Sequence, residues 1–478
     1  ELTGCFFLKV YGNNKLRSWS GSRTQLGMPT YQNICLGGQT PNGEDASNPF
    51  SYVCLEALGR NRLPEPNVYV RLYENTPEEF LRAAVKVVML GFGIPALVII
   101  PSLLRVGVSK EDAFNYSTMG CTEVQVPGKW GYRANGKSKV NLLRILELVM
   151  DGGADKKTGR TVIAGIRPIE QCESFEEVYG AYQKALRYYM HLHVMADNIN
   201  EHAMCELVPD ALCLLLMQDC LERGLHIKEG GTVYDYISGV MVGIPNVGNG
   251  LYALQDIVFD KKLVTPAELR SALDANFEGK EGEYVQSLLL NAADKYGNDM
   301  DGVDFLTRDS SDIYTKEINN YRTMRKGLGP IGCCYTSSTV TAVGATPDGR
   351  KAGEPAADGV SPSRNTLKNG PTALLKSVSK LSNELFAGGQ LLNIRINPKN
   401  VANESGEKRF VQYLRGFSEL KCWHSQYNLI STETLRDAQR HPENYDDLVV
   451  RVAGYSARFT SLNNELQEDI IRRTEFEL

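Results

Sequence analysis

The sequence predicts an α/β protein on three observations. Apolar residues recur at helical spacing through roughly the first three hundred residues. Short, fully apolar runs interrupt that spacing, and Gly, Pro and Asn separate the two kinds of segment. The stretches 175–187 and 210–223 carry the helical pattern. In TPEEFLRAA, Thr76 is the expected N-cap, Pro77 the first helical residue, and Glu79, three positions after Thr76, the partner that closes a capping box. Residues 96–100 (ALVII) and 448–452 (LVVRV) read as strands, the first of them fully buried. After about residue 326 Gly, Pro and Ser become frequent, and 344–371 is long for a loop without structure of its own; such loops are functional or disordered. The C-terminal segment reads as a strand, a Gly-centred turn, then a charged helix starting near Ser461 or Asn463.

Composition excludes several classes. In 478 residues, 52 Lys and Arg stand against 57 Asp and Glu, a net charge of −5, which argues against a phosphate-binding surface and so against nucleic acid. With 42% hydrophobic and 23% charged residues the chain is globular, not disordered. Eleven Cys without regular spacing do not form a disulfide framework, and reduced thiols in a cytoplasm are expected. The uncharged run 87–104 could suggest a membrane span, but Pro95 and Pro101 would break a helix there, so a buried strand is expected instead. The opening ELTGCFFLKVYG has no initiator Met, basic region or cleavage site; it reads as a chain entered in mid-helix, and a fragment is expected.

Two short motifs carry the chemistry. The first is Arg451-Val-Ala-Gly-Tyr-Ser-Ala-Arg-Phe459, a strand running into a turn at Gly454. On spacing alone, Gly454 is a turn glycine at positive φ. The second is Met119-Gly-Cys-Thr-Glu-Val, in which Cys121 and Glu123 are two apart and, in an extended loop, point the same way. Cys is more often an inert buried residue than a nucleophile.

The run RVAGYSARFTSLNNELQEDIIRRT resembles the C-terminal signature of the glycyl radical enzymes, a family that includes pyruvate formate-lyase, cobalamin-independent glycerol dehydratase and choline trimethylamine-lyase. The Gly-Cys-x-Glu loop resembles that of the family's eliminating members. Residues 346–351 (TPDGRK), 357–363 (ADGVSPS) and 376–381 (KSVSKL) match the family in the expected order and read as scaffolding. The resemblance implies a ten-stranded α/β barrel of two half-barrels ringed by helices. It divides the chain into a barrel portion, 1–440, with its cysteine loop near 119–129, and a glycine radical domain, 441–478. It further implies that Gly454 stores a backbone radical, that Cys121 becomes a thiyl radical and that Glu123 is the general base, with Arg451, Tyr455, Ser456 and Arg458 as structural flanks. A glycine suits the first task because, without Cβ, its α-carbon can flatten and share the electron with its amide neighbours. A thiol suits the second because its S–H bond is weak and reversibly broken.

The implied function is a lyase, a dehydratase or eliminase, acting on a small hydroxylated substrate with loss of water, an amine or sulfite. Alternatives are a radical decarboxylase, which needs a carboxylate-binding Arg, a formate C-acetyltransferase-like enzyme, and a non-catalytic fragment. Asn135 and Tyr335 are the expected substrate contacts. Where diol dehydratases of the family bring an Asp, this chain has Asn135, in GYRANG. Asn cannot hold a charge or donate an acidic proton, so either the loop is shifted or the leaving group differs. The adjacent pair Cys333-Cys334 is far downstream of the cysteine loop, and Thr122 beside Cys121 argues against pyruvate formate-lyase itself. His191, His193 and His202 are too widely splayed on one helix to share an ion, so no metal is expected. No clustered CxxxCxxC occurs, so a separate radical S-adenosylmethionine activase is the expected partner, with no bound cofactor. A homodimer in the cytoplasm, or within a bacterial microcompartment, completes what the resemblance implies.

Overall fold

In a computed structural model of the chain, residues 1–13, 31–99, 102–131, 135–236, 238–324, 331–334 and 343–477 are described. They form two compact units: Glu1–Trp130 with Gly370–Leu375 and Ala387–Leu478, and Gly131–Asn369 with Lys376–Phe386.

The first unit is built on a six-stranded sheet. Its strands are β1 (Asn33–Gly37), β2 (Asn67–Arg71), β3 (Ala96–Val98), β4 (Asn393–Ile396), β5 (His424–Leu429) and β6 (Glu475–Phe476). The spatial order is β1-β2-β3-β5-β4-β6. β1, β2 and β3 run parallel to one another, as do β5, β4 and β6. The two triplets meet antiparallel where His424 pairs Val98 and Ser425 pairs Leu97. Both faces of β3 are buried, which is why it reads as an unbroken apolar run. No helix among the described residues is long and apolar enough to cross a membrane, and the uncharged run 87–104 holds a helix end, β3 and a short 3-10 turn.

The helix expected after Thr76 spans Glu78–Val88 and buries Phe80, Leu81, Ala84, Val85, Val87 and Val88. Each of the larger side chains contributes about 2 kcal/mol by leaving water. The expected capping box does not form: Pro77 occupies the cap position and no side chain caps the helix. The Thr76 hydroxyl is engaged one turn earlier, accepting from Tyr73 N at 2.9 Å and donating to Tyr73 O at 2.8 Å. A Thr that closes its own local turn is not available to the helix.

The second unit holds a three-stranded parallel sheet, with Ser238–Val242 between Asn135–Asn141 and Ile331–Cys334. The pattern at 175–187 belongs to a longer helix, Phe175–Leu207, whose N-cap Ser174 accepts from Glu177 N. The expected helix at 210–223 is broken into Ala211–Leu216 and Cys220–Arg223, because Asp219 takes a left-handed conformation at φ 70°. Leu212, Leu215, Leu216 and Leu221 of this stretch are exposed, so their helical spacing does not mark a core-facing stripe.

The loop 344–371 has only the start of a helix at its end, yet it is tightly held. Arg350, 6% exposed, donates to the carbonyls of Gly344, Val343, Lys351 and Glu354. Asn246 accepts from Ala357 N at 2.7 Å and donates to Asp348 Oδ2 at 2.6 Å. Side chains here satisfy the backbone that a strand or helix would otherwise pair. Next to it, Lys380 reaches Asp299, Asp301 and Asp304 at 2.7, 2.8 and 3.0 Å.

Candidate active site

Gly454 lies between two short antiparallel strands, Val449–Arg451 and Ser456–Arg458. It adopts φ 77°, the left-handed region where a side chain is strained. An ideal Cβ built on it would meet the Cys121 Cβ at 2.2 Å, its Cα at 2.6 Å and its Sγ at 2.6 Å. The Gly454 C–H bond that replaces a side chain therefore points into Cys121. Cys121 follows Gly120, itself at φ 66°, in the turn joining the antiparallel strands Ser117–Met119 and Glu123–Gln125. Its Sγ also lies 3.6 Å from the Ala453 carbonyl.

The cysteine turn is held from several directions. Glu123 Oε2 accepts from Cys121 N at 2.8 Å and from Thr122 N at 3.0 Å, and its residue is 3% exposed. The Gly120 carbonyl accepts from Asn33 at 3.0 Å, Asn67 at 3.2 Å and Tyr69 at 3.3 Å, and Tyr69 also donates to the Cys121 carbonyl. Gly389 lets the following residue approach closely: a Cβ there would stand 2.4 Å from the Thr122 carbonyl.

The glycine turn is anchored by Arg451, whose side chain is fully buried. Its Nε donates to Gln426 Oε1 at 2.6 Å, Nη1 to Asn67 Oδ1 at 2.6 Å and Nη2 to the Tyr69 hydroxyl at 3.3 Å. Asn428 brackets the same residue, accepting from Arg451 N and donating to Arg451 O, both at 2.7 Å. Gly93 makes room, since a Cβ on it would stand 2.6 Å from the Arg451 Cβ. Two donors converge on the Gly454 carbonyl: Asn67 Nδ2 at 3.0 Å and the Tyr31 hydroxyl at 3.0 Å. Tyr31 also reaches Cys121 Sγ at 2.7 Å. Burial, above all, pushes the Tyr31 phenol well above its ordinary pKa; burial does the same to Tyr69, against the opposing pull of Arg451. Both therefore stay protonated and able to donate.

The structure thus brings Cys121, Glu123 and Gly454 into one site. Asn135 opens the strand Asn135–Asn141, with its side chain outside the described residues, and Tyr335 lies wholly outside them. Tyr31, Asn67, Tyr69, Gln426 and Asn428 were not singled out from the sequence. A signal existed for the strand residues: Asn67 and Tyr69, and likewise Gln426 and Asn428, sit two apart in strands buried on both faces. Buried polar groups at period two mark one face as lined with hydrogen-bonding chemistry. Tyr31 carries no such local signal.

The histidines of the long helix do not converge on an ion. His193 contacts Ser138 Oγ at 2.6 Å and the Tyr314 hydroxyl at 3.3 Å, while His202 faces Glu206 at 3.4 Å. Among the described residues, Cys205, His226 and Glu229 are close enough to share a cation. His226 Nδ1, however, already accepts from Lys228 N at 3.1 Å, which leaves its protonated Nε2 facing Glu229 at 3.5 Å.

Gly454 and Cys121 thus face each other from two neighbouring turns, with no room between them for a side chain on the glycine. Family models for pyruvate formate lyase-like proteins and for the glycine radical domain match residues 1–343 and 356–460. The chain belongs to the pyruvate formate lyase-like family of glycyl radical enzymes. It is 41% identical to the probable dehydratase YbiW of Escherichia coli, over 99% of this chain and 61% of that protein. It is 34% identical to the trans-4-hydroxy-L-proline dehydratase of Clostridioides difficile, again over 99% of this chain and 61% of the relative. The glycerol-bound B12-independent glycerol dehydratase of Clostridium butyricum superposes with a TM-score of 0.95 at 38% identity, over 100% of this chain and 61% of that one. The fold is therefore the α/β fold of the glycyl radical enzymes, and the chain spans about three-fifths of the length of these relatives.

Proposed function

We propose that the complete protein is a glycyl radical lyase that eliminates a neighbouring group from a small hydroxylated substrate. The observation that carries this reading is the approach of Gly454 to Cys121, with the would-be Cβ 2.6 Å from Sγ. The relatives support the elimination, being dehydratases by name, and an isethionate sulfite-lyase of Nitratidesulfovibrio vulgaris is 33% identical.

In this reading a radical S-adenosylmethionine activase removes a hydrogen atom from Gly454 Cα. The Gly454 radical takes the hydrogen of the Cys121 S–H, forming Cα–H and a thiyl. The thiyl abstracts hydrogen from the substrate carbon bearing a hydroxyl, restoring S–H. Glu123 accepts the hydroxyl proton, and the resulting ketyl-type radical expels the neighbouring group with its bonding electron pair. Cys121 then returns a hydrogen atom to the product radical, and the thiyl that remains recovers hydrogen from Gly454. Keeping these steps away from water protects reactive intermediates. The radical-bearing segment 441–478 and the remainder, 1–440, form the functional division of this mechanism. Substrate contacts are proposed for Asn135 and Tyr335. The setting we propose is an anaerobic cytoplasm or bacterial microcompartment, with the protein as a homodimer.

The test is turnover by the anaerobically activated complete protein on glycerol, propanediol, choline, isethionate, hydroxyproline and arylacetates. Elimination from a hydroxylated compound supports the reading. Decarboxylation of an arylacetate, or turnover independent of the radical, overturns it.

A further inference from the structure

Resting on the radical assignment to Gly454 and Cys121, we infer that Asn67, oriented by Arg451, and Tyr31 are positioning residues that polarise the Gly454 carbonyl and so set how firmly the unpaired electron rests on Gly454 rather than on Cys121.

The geometry is specific to one atom. Asn67 Nδ2 and the Tyr31 hydroxyl each donate to Gly454 O at 3.0 Å. Asn67 could present either end of its amide to that carbonyl. Arg451 decides which, because Nη1 at 2.6 Å from Oδ1 claims the amide oxygen and leaves the N–H groups facing Gly454 and Gly120. Arg451 is 0% exposed, and its described partners, Gln426, Asn67, Tyr69 and Ser456, are all neutral. A buried guanidinium without a carboxylate is costly to keep. Here it adds positive potential behind the amide that touches the radical's own carbonyl, and a charge-assisted chain of this kind polarises each bond in it.

The transfer concerned is self-contained. The Gly454 Cα–H bond breaks, the Cys121 S–H bond forms, and the unpaired electron passes from sulfur to carbon. In the carbon radical the flattened Cα is conjugated with its carbonyl, which draws charge onto Gly454 O. A donor at that oxygen therefore stabilises the radical more than the closed-shell peptide, in the way that fixed donors stabilise a developing oxyanion. Tyr31 adds a second influence, because its single hydroxyl proton lies within reach of both Gly454 O and Cys121 Sγ, at 3.0 and 2.7 Å. It can favour only one of them at a time.

The experiment uses the complete protein, activated anaerobically, with glycine isotopically labelled at the carbonyl carbon, and reads electron paramagnetic resonance. Asn67→Asp keeps the shape and the acceptor for Arg451 but replaces the donor by lone pairs. Tyr31→Phe removes one hydroxyl. Each is expected to lower the spins per chain about three- to tenfold, the worth of one hydrogen bond, and to change the hyperfine coupling of the labelled carbonyl carbon. Unchanged coupling in both folded variants overturns the inference, including the case where spins fall, since a purely structural role lowers yield without moving spin density. Where Asn67→Asp does not fold, the coupling in Tyr31→Phe decides alone. A wild-type protein without a glycyl doublet overturns the radical assignment itself, whereas a wild-type doublet indifferent to both substitutions overturns this inference only.

Discussion

The side-chain position of Gly454 is occupied by Cys121: a Cβ on the glycine would lie 2.2 Å from the cysteine Cβ and 2.6 Å from its Sγ. Real Cβ atoms essentially never approach so closely, so this glycine is required by space as well as by its φ of 77°. Gly454→Ala is expected to abolish the carbon-centred doublet after activation. Cys121→Ala removes Sγ, keeps the doublet and stops turnover. A doublet that persists in Gly454→Ala, measured by electron paramagnetic resonance, would place the radical elsewhere.

Oxygen offers a second check on the same residue. A backbone radical adds dioxygen and cleaves the chain at that point. Activated protein exposed to air is expected to release residues 455–478, and mass spectrometry of the fragments reads the site directly. Cleavage elsewhere, or loss of the radical with an intact chain, contradicts the assignment to Gly454.

Glu123 is expected to separate turnover from radical storage. In Glu123→Gln an amide oxygen can still accept the Cys121 and Thr122 N–H bonds that Oε2 accepts now. The turn should hold and the spin count remain. Turnover is expected to fall by on the order of 10²–10⁴, the usual worth of a positioned base. Steady-state rates normalised to spins per chain would expose a different base if they stayed near normal.

Asn135, as a proposed substrate contact, carries an expectation about the leaving group. Hydroxide leaves poorly without a proton donor, and Asn supplies none. Simple vicinal diols such as glycerol and propanediol are therefore expected to be poor substrates beside one with a better leaving group. Asn135→Asp should not improve the native reaction, and should slow it where the leaving group is anionic, through like-charge repulsion. Efficient wild-type dehydration of propanediol, measured by product formation, would contradict this.

A pH-dependent stability difference is expected at Lys295, which is 4% exposed and donates to the Leu289 carbonyl. Burial lowers its pKa from the ordinary 10.5 to about 8. Between those values the unfolded chain binds a proton that the folded chain does not, so this group makes stability rise with pH across the window, and its full penalty applies below it. Lys295→Met is expected to be more stable than wild type near pH 7, by on the order of 2 kcal/mol, with the gap closing toward pH 10. Urea midpoints of the two proteins compared at each pH check the sign. A gap that widens with pH would refute it.

Cys121 and Gly454 are legible in the sequence because each lies in a short contiguous motif that resembles a family signature. Local pattern and capping point to a strand within 96–100, a strand before Gly454 and a helix starting near Ser461 or Asn463, and the structure has strands at Ala96–Val98 and Val449–Arg451 and a helix capped by Asn463. Local pattern misled where one side chain had two local uses. Thr76 closes a turn with Tyr73 instead of capping the next helix, and Asp219 divides a stretch whose leucines are spaced for a helix but face outward.

Local spacing marked only a glycine in a turn and a cysteine two positions from a carboxylate, and their expected roles came from the resemblance of the motifs around them. Only the tertiary structure decided that they meet, and which groups hold them. Tyr31, Asn67 and Gln426 reach the Gly454 turn across 423, 387 and 25 residues of chain. The period-two polar pattern marks Asn67 and Gln426 as lining a buried face, but it does not say which distant residue they meet, and Tyr31 carries no local pattern at all. A side chain's partner across a sheet is set by strand order and register, and here the parallel triplets β1-β2-β3 and β5-β4-β6 place Asn67 and Gln426 on either side of Arg451.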